Sequence, residues 1–406
     1  MTTNQVDMPD EVLTPRQRVR IAMKHQEPDR TPVDFLATPE VWDKLIAHFR
    51  SDLANLDSGG YFSSEREDVL QKLEVDCRLL SYDMFCAPPA NTLKAGESVD
   101  WWDSLARSTP NRMWRQQRQD GSCNDIWGHH TRTIANPTGR YEEYVSWPLR
   151  SAASVADLKN YAWPDPDWWD FSQLPDAIRK IDPNGVRSLR FRAGTVFECA
   201  WQLRGMEEFL TDMAVAPELP LYILERVTDV IVENTRRALA LAGDDIDTVY
   251  FYDDVGAQNG LLISKNMWRR FIKPFHQRII DVARQAGKQV MYHCDGAILS
   301  LIPELIEMGV DVLDPIQPTA KDMVPEKLKA EFRERLSYHG GVDIVGTLPL
   351  GSPDDVRNEV RQRVQLMGEN GGYILSSSHH IQSDTPLENV LAMYETGLRY
   401  RSDQVE

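Results

Sequence analysis

The residues best suited to chemistry in this chain sit where short β-rich runs end. Asp253-Asp254 close TVYFY, and His293-Cys294-Asp295-Gly296 close QVMY. Asp314 and Gln317 follow VDVL, His339-Gly340-Gly341-Val342-Asp343 follow LSY, and His379-His380 follow YILSSS. His293 and Asp295 are two apart, so on an extended backbone their side chains share a face. With His379 from a later run they make two imidazoles and one carboxylate, a set that could bind zinc or a harder divalent metal with positions left open. Without a metal, His379 would serve as a general acid or base, or as a substrate contact oriented by nearby carboxylates. Each residue also has a plainer use: an aspartate at a strand end caps the next helix, and a single histidine packs. Arg190 and Arg192, two apart on an apparent strand, could aim two cations at one small anion or form a solvated strand face.

Such a set needs a scaffold that brings strand ends together. The second half alternates strand and helix signals: strand 248–253, helix 264–287, strand 289–293, helix 299–309, strand 310–313, helix 325–335, strand 336–340, helix 353–369, strand 373–376 and a last helix from Pro386. Strands at 31–36, 78–82 and 188–194 and helices at 39–50, 64–74, 204–214 and 217–242 extend the pattern upstream. Alternation with short connections implies parallel strands joined by right-handed crossovers, and eight strands close a (β/α)8 TIM barrel. In that fold chemistry sits at the carboxyl ends of the strands, where the polar clusters fall.

The reading is a loose tail over residues 1–13 and one barrel domain over 14–406. Its length beyond the roughly 250 residues of a plain barrel includes a break in the pattern at about 87–165. Trp101, Trp102, Trp114, Trp127, Trp147 and Trp163 lie there among Gly, Pro, Asn and Asp. This predicts an inserted β-hairpin lobe over the barrel mouth, its aromatic residues serving as packing, lid or substrate wall. Helix starts are marked at Thr14-Pro15, Ser352-Pro353 and Thr385-Pro386, each with an acid or amide placed for a capping box, and at Ser64 without the proline.

Composition narrows the function classes. A net charge of −17 with no compensating Lys/Arg run argues against nucleic acid as a partner. No stretch approaches the roughly 20 apolar residues of a membrane span, and the first dozen residues lack the apolar segment of a signal peptide. Five scattered cysteines without a CxxC pair suit free thiols in a reducing cytoplasm.

Several blocks resemble the uroporphyrinogen decarboxylase superfamily: LTPRQRVRIAMKHQEPDRTPVDF, DDVGAQNGLLISKNMWRRFIKPF, YHCDGAILSLIPELIEMGVDVLDPIQP, YHGGVDIVGTLP and TPLENV. The resemblance implies a TIM barrel, a homodimer and one of two activities. Haem-pathway decarboxylases of that superfamily carry an arginine-rich segment after the first strand, where this chain has Asp34-Phe35-Leu36-Ala37-Thr38-Pro39. Their motif histidine corresponds to His379. The zinc methyltransferases that serve corrinoid proteins carry His-x-Cys-Gly and a later Cys. Here His293 and Gly296 match, while Asp295 and His379 stand where the thiolates would be.

Three functions follow as expectations. The first is a methyltransferase moving a methyl group from a small methylated substrate to a corrinoid protein or related carrier. A divalent metal, zinc foremost, would sit on His293, Asp295 and His379. Asp253 or Asp254 would orient substrate or shuttle a proton, and Arg192, Gln317, His339 and Asp343 would contact substrate. The second is a decarboxylase or lyase of a small acid, with His379 as proton donor and Arg192 on a carboxylate. The third is a non-catalytic binding protein on the same barrel. If the last strand stays extended through 377–380, His379 faces the mouth and His380 packs beneath the final helix.

Overall fold

The computed structural model describes residues 12–50, 64–86, 98–103, 112–136 and 139–400. Residues 1–11 of the expected tail lie outside them. Seven strands form one parallel sheet: β1 (Cys77–Ser81), β7 (Ser188–Gly194), β8 (Ile246–Tyr252), β11 (Gln289–His293), β12 (Val312–Ile316), β13 (Ser337–Val342) and β14 (Tyr373–Ser377), in that order. The expected strand at 31–36 reduces to bridges of Val33 with Leu375 and Ala37 with Ile381. Val33 also accepts the Asp76 amide at 2.9 Å. The segment therefore joins the last strand to the first and closes the barrel. The strands are nearly continuous buried runs, as a sheet covered on both faces requires.

Between β1 and β7 lies the inserted lobe. It is a five-stranded antiparallel meander rather than a single hairpin: β2 (Ser98–Asp103), β3 (Arg112–Gln117), β4 (Cys123–Asp125), β5 (His130–Asn136) and β6 (Gly139–Ser146). Of Trp101 and Trp102 only the backbone is described. A two-strand ribbon, β9 (Gly256–Ala257) with β10 (Gly260–Leu261), follows β8. The lobe is pinned to the barrel through its turn at 125–129, where Trp127 Nε1 donates to Tyr82 Oη at 3.2 Å and Tyr161 Oη donates to the Trp127 carbonyl at 2.6 Å.

Helix signals were largely legible. Thr14 with Gln17 and Ser352 with Asp355 form capping boxes with proline in the first turn. Thr385 does not: the last helix runs Leu387–Arg399 with Pro386 as its cap and no side-chain cap bond. The helix expected over 264–287 is two, Lys265–Phe271 and Lys273–Gln285, with Pro274 in the first turn of the second. Proline lacks the amide that a continuous helix would need there. The strand expected at 310–313 starts two residues later, which brings Asp314 into the barrel wall. No helix among the described residues is long and apolar enough to cross a membrane.

Candidate active site at the barrel mouth

Register sets the site. The β11 ladder pairs His293 with Tyr252 on one side and Asp314 on the other, so the three side chains stand at one level of the barrel. Above them a cavity of about 240 Å³ is lined by Arg192, Glu198, Asp254, His293, His379 and His380 among others. Gly296 follows because nothing larger fits: a Cβ there would stand 2.3 Å from the backbone of Gly256.

A file of buried charges runs under this mouth. Arg190 donates to Asp34 Oδ2, and His339 Nε2 contacts the same oxygen at 2.9 Å. His339 Nδ1 lies 2.5 Å from Asp314 Oδ1, and Asp314 Oδ2 lies 2.8 Å from His293 Nδ1. Both ring nitrogens of His339 face carboxylates, so both carry protons. Burial opposes a charge on His293, but Asp314, Asp254 and Asp295 more than reverse that and lift its pKa to about 9. With Nδ1 held by Asp314, Nε2 is the nitrogen available to a ligand. Asp314 is held well below the usual carboxylate range: burial resists ionisation, and the two histidines overcome it.

On the opposite wall Glu198 accepts the Asp254 amide at 2.9 Å. Burial, followed by the neighbouring carboxylates of Asp254 and Asp253, pushes its pKa up to about 8. Asp254 is raised too, chiefly by burial. His379 is shifted the other way, by burial and then by the His293 cation, which favours its neutral form. A cation, a protonated carboxyl and a neutral imidazole thus share one cavity, an arrangement able to deliver and accept protons.

The expected site residues separate into those at the mouth and those with structural duties. His293, Asp254, His379 and Arg192 line the cavity. Asp253 does not act there: it is fully buried, His276 Nε2 lies 2.6 Å from its Oδ2, and it accepts the amides of Val196 and Glu198 and the Thr195 hydroxyl. It organises the start of the helix Phe197–Arg204. His339 is 1% exposed and sits inside the charge file, beyond substrate contact. Asp343 accepts the amides of Val345 and Gly346 at 2.8 and 3.0 Å, a turn-forming role. Gln317 is buried and absent from the mouth lining. His380 lines the mouth with His379, their rings 4.7 Å apart. β14 ends at Ser377, so strand alternation no longer governs these two.

Arg190 and Arg192 neither form a solvated strand face nor aim together at one anion site. Arg190 is buried against Asp34, and Arg192 contacts Asp83 Oδ2 at 3.3 Å, donates to Tyr252 Oη and lies over the Tyr252 ring at 4.2 Å. Sequence reasoning missed Glu198 and Tyr252. Tyr252 ends the TVYFY strand and carried the same strand-end signal as Asp253, whereas Glu198 lies in a helix with nothing local to mark it.

The residues of the expected metal set approach one another without converging. His379 Nε2 lies 3.8 Å from Asp295 Oδ2, and the His293 and His379 rings are 6.2 Å apart. Among the described residues no group of three His, Cys, Asp or Glu side chains is placed to hold a metal ion. His293 and His379 line the mouth and Asp295 lies beside His379, without the three closing into a coordination sphere.

A closed parallel barrel with its polar cavity at the carboxyl ends of the strands defines a (β/α)8 barrel of the enzyme-bearing type. The chain belongs to the uroporphyrinogen decarboxylase (URO-D) family, whose model matches residues 141–400. It is 25% identical over 251 residues to a methylated-thiol–coenzyme M methyltransferase of Methanosarcina mazei, covering 60% of this chain and 63% of the relative. It is 29% identical over 173 residues to a uroporphyrinogen decarboxylase of Thermus thermophilus, covering 43% and 46%. The aligned regions thus span less than two thirds of either relative. The solved structure of a methyltransferase from Methanosarcina mazei shares the fold, with TM-score 0.60 at 17% identity over 95% of this chain and 98% of that one.

Proposed function

We propose that this protein is a methyltransferase that takes a methyl group from a small methylated substrate, an ether in the first instance, and passes it to a corrinoid protein or related carrier. The carrying observation is the pairing of a His293 held as a cation by Asp314 with a protonated Glu198 in one cavity. An ether oxygen losing its methyl group needs a proton. The acceptor's electron pair forms the new bond to carbon, the carbon–oxygen bond breaks with its pair left on oxygen, and that oxygen takes a proton from His293 or Glu198. Neutral His379 and Asp254 would orient the substrate. The methanogen relative, a methyltransferase, supports the same class of reaction.

The acceptor has to come from outside if it is a thiol or a carrier cofactor. All five cysteines are buried, and burial pushes the Cys294 thiol well above its ordinary value. A cytoplasmic homodimer completes the proposal. No step above runs through a metal, and elemental analysis of protein purified without added metal reads whether His293, Asp295 and His379 hold one. The decarboxylase alternative is less well served, because Arg190 and Arg192 already face Asp34 and Asp83 and neutral His379 is a poor proton donor. A pure binding role gives no reason for a carboxyl held protonated beside a cation. The test is mass-spectrometric screening of methoxylated compounds with a reduced corrinoid protein. Demethylated product with a methylated carrier is expected, and carbon dioxide release from small acids in its place would overturn the reading.

A further inference from the structure

A second cavity, of about 230 Å³, lies between the lobe and the barrel. Its lobe side carries Trp114, Trp127 and Tyr144, and its barrel side carries Tyr82, Gln202 and Tyr252. Arg192 and Tyr252 line this chamber and the mouth alike, so the two cavities adjoin across that pair of side chains. The chamber is a built site. Trp127 is fixed by its bond to Tyr82, and His129 Nε2 lies 3.3 Å from the Cys199 carbonyl, which ties the lobe wall to the helix Phe197–Arg204.

The lining also defines what would bind. The three carboxylates among the lining residues are each engaged: Asp83 with Arg192, Glu142 with Arg115 at 2.9 Å, and Asp125 with His129 at 2.8 Å. Charges already matched give an ion little to gain by entering, since it would lose its hydration without a counter-charge. Indole and phenol rings instead offer flat apolar faces and polarised edges, which favour stacked or edge-on aromatic partners.

We propose that this chamber binds an uncharged planar aromatic group, the size of a single substituted ring, and that Arg192 and Tyr252 join it to the mouth. Deepening the methyl-transfer reading, the aromatic group is the body of the substrate, and its methoxy oxygen reaches past Tyr252 toward His293. The binding itself stands apart from any turnover.

The experiment measures binding of methoxybenzene and of cyclohexyl methyl ether to the full chain by saturation-transfer NMR and calorimetry. Wild type is expected to prefer the aromatic ether by about 3- to 10-fold, the worth of one good ring contact. Gln202→Trp, which fills the chamber from the barrel side and leaves the mouth untouched, is expected to weaken methoxybenzene at least about tenfold. Trp114→Ala removes one wall and is expected to abolish the aromatic preference, which keeps the test decisive if the larger substitution does not fold. Equal affinity for the two ethers in wild type, unchanged methoxybenzene binding in folded Gln202→Trp, or a preference retained in Trp114→Ala would each overturn the proposal. The expected binding pattern without demethylation would leave the chamber assigned and remove the methyl-transfer reading. Demethylation undiminished in both variants would do the reverse.

Discussion

Asp314 Oδ2 stands 2.8 Å from His293 Nδ1, and through that contact the barrel mouth is wired to the buried charges beneath it. The pKa of His293 is raised to about 9. The folded protein therefore holds this proton more tightly than the unfolded chain, whose histidine titrates near 6.5. The resulting stability is complete below about pH 6.5 and is lost as pH rises through about 9. We expect the thermal midpoint of the wild type to fall across that window more steeply than that of His293→Gln. Parallel profiles for the two proteins would refute the assignment of the proton.

His339 should behave as a structural residue. Its ring lies between Asp34 and Asp314, so His339→Leu leaves two buried carboxylates without a shared cation. Removing one member of such a buried network costs on the order of 3–5 kcal/mol. Urea unfolding is expected to show a loss of that size, and KM in the protein that remains folded is expected to change little. A large KM effect at full stability would return His339 to the substrate contacts.

His379 and His380 should resemble each other. Both line the mouth and are only partly buried. We expect His379→Ala and His380→Ala each to lower turnover with thermal midpoints close to wild type, the His379 variant by about 100-fold through lost orientation of the substrate. Selective destabilisation by His380→Ala would mean that His380 packs under the final helix after all.

Glu198 offers a test with the opposite sign in stability and activity. Burial raises its pKa to about 8, so between about pH 4.5 and 8 the folded state binds a proton that the unfolded state releases. Stability from this group falls as pH rises through that range. Glu198→Gln removes the penalty, and at pH 8 it is expected to be more stable by at least about 1 kcal/mol. Turnover is expected to drop, because glutamine cannot donate the proton. A variant less stable than wild type at pH 8 would show that Glu198 is ionised in the fold.

What the sequence alone determined is the periodic part of the molecule. The strand Gln289–His293, the strand Ser188–Gly194 and the capping boxes at Thr14 and Ser352 are local signals, set by hydrogen-bonding geometry within a few residues. Placing the site at strand ends followed from them, and His293, Asp254 and His379 were found in that way, while Arg192 was singled out by its spacing from Arg190 within a strand. Tertiary structure decided what each polar group does. Asp253 and Asp254 are neighbours with the same chemistry, yet one is closed in by His276 and a helix start while the other faces the cavity. Glu198 joined the site from a helix, and His339 left it for a carboxylate more than three hundred residues away in the chain. Those outcomes depend on burial and on partners brought together only when the barrel closes, because a side chain's charge state and reach are set by its neighbours in space, which local periodicity does not encode.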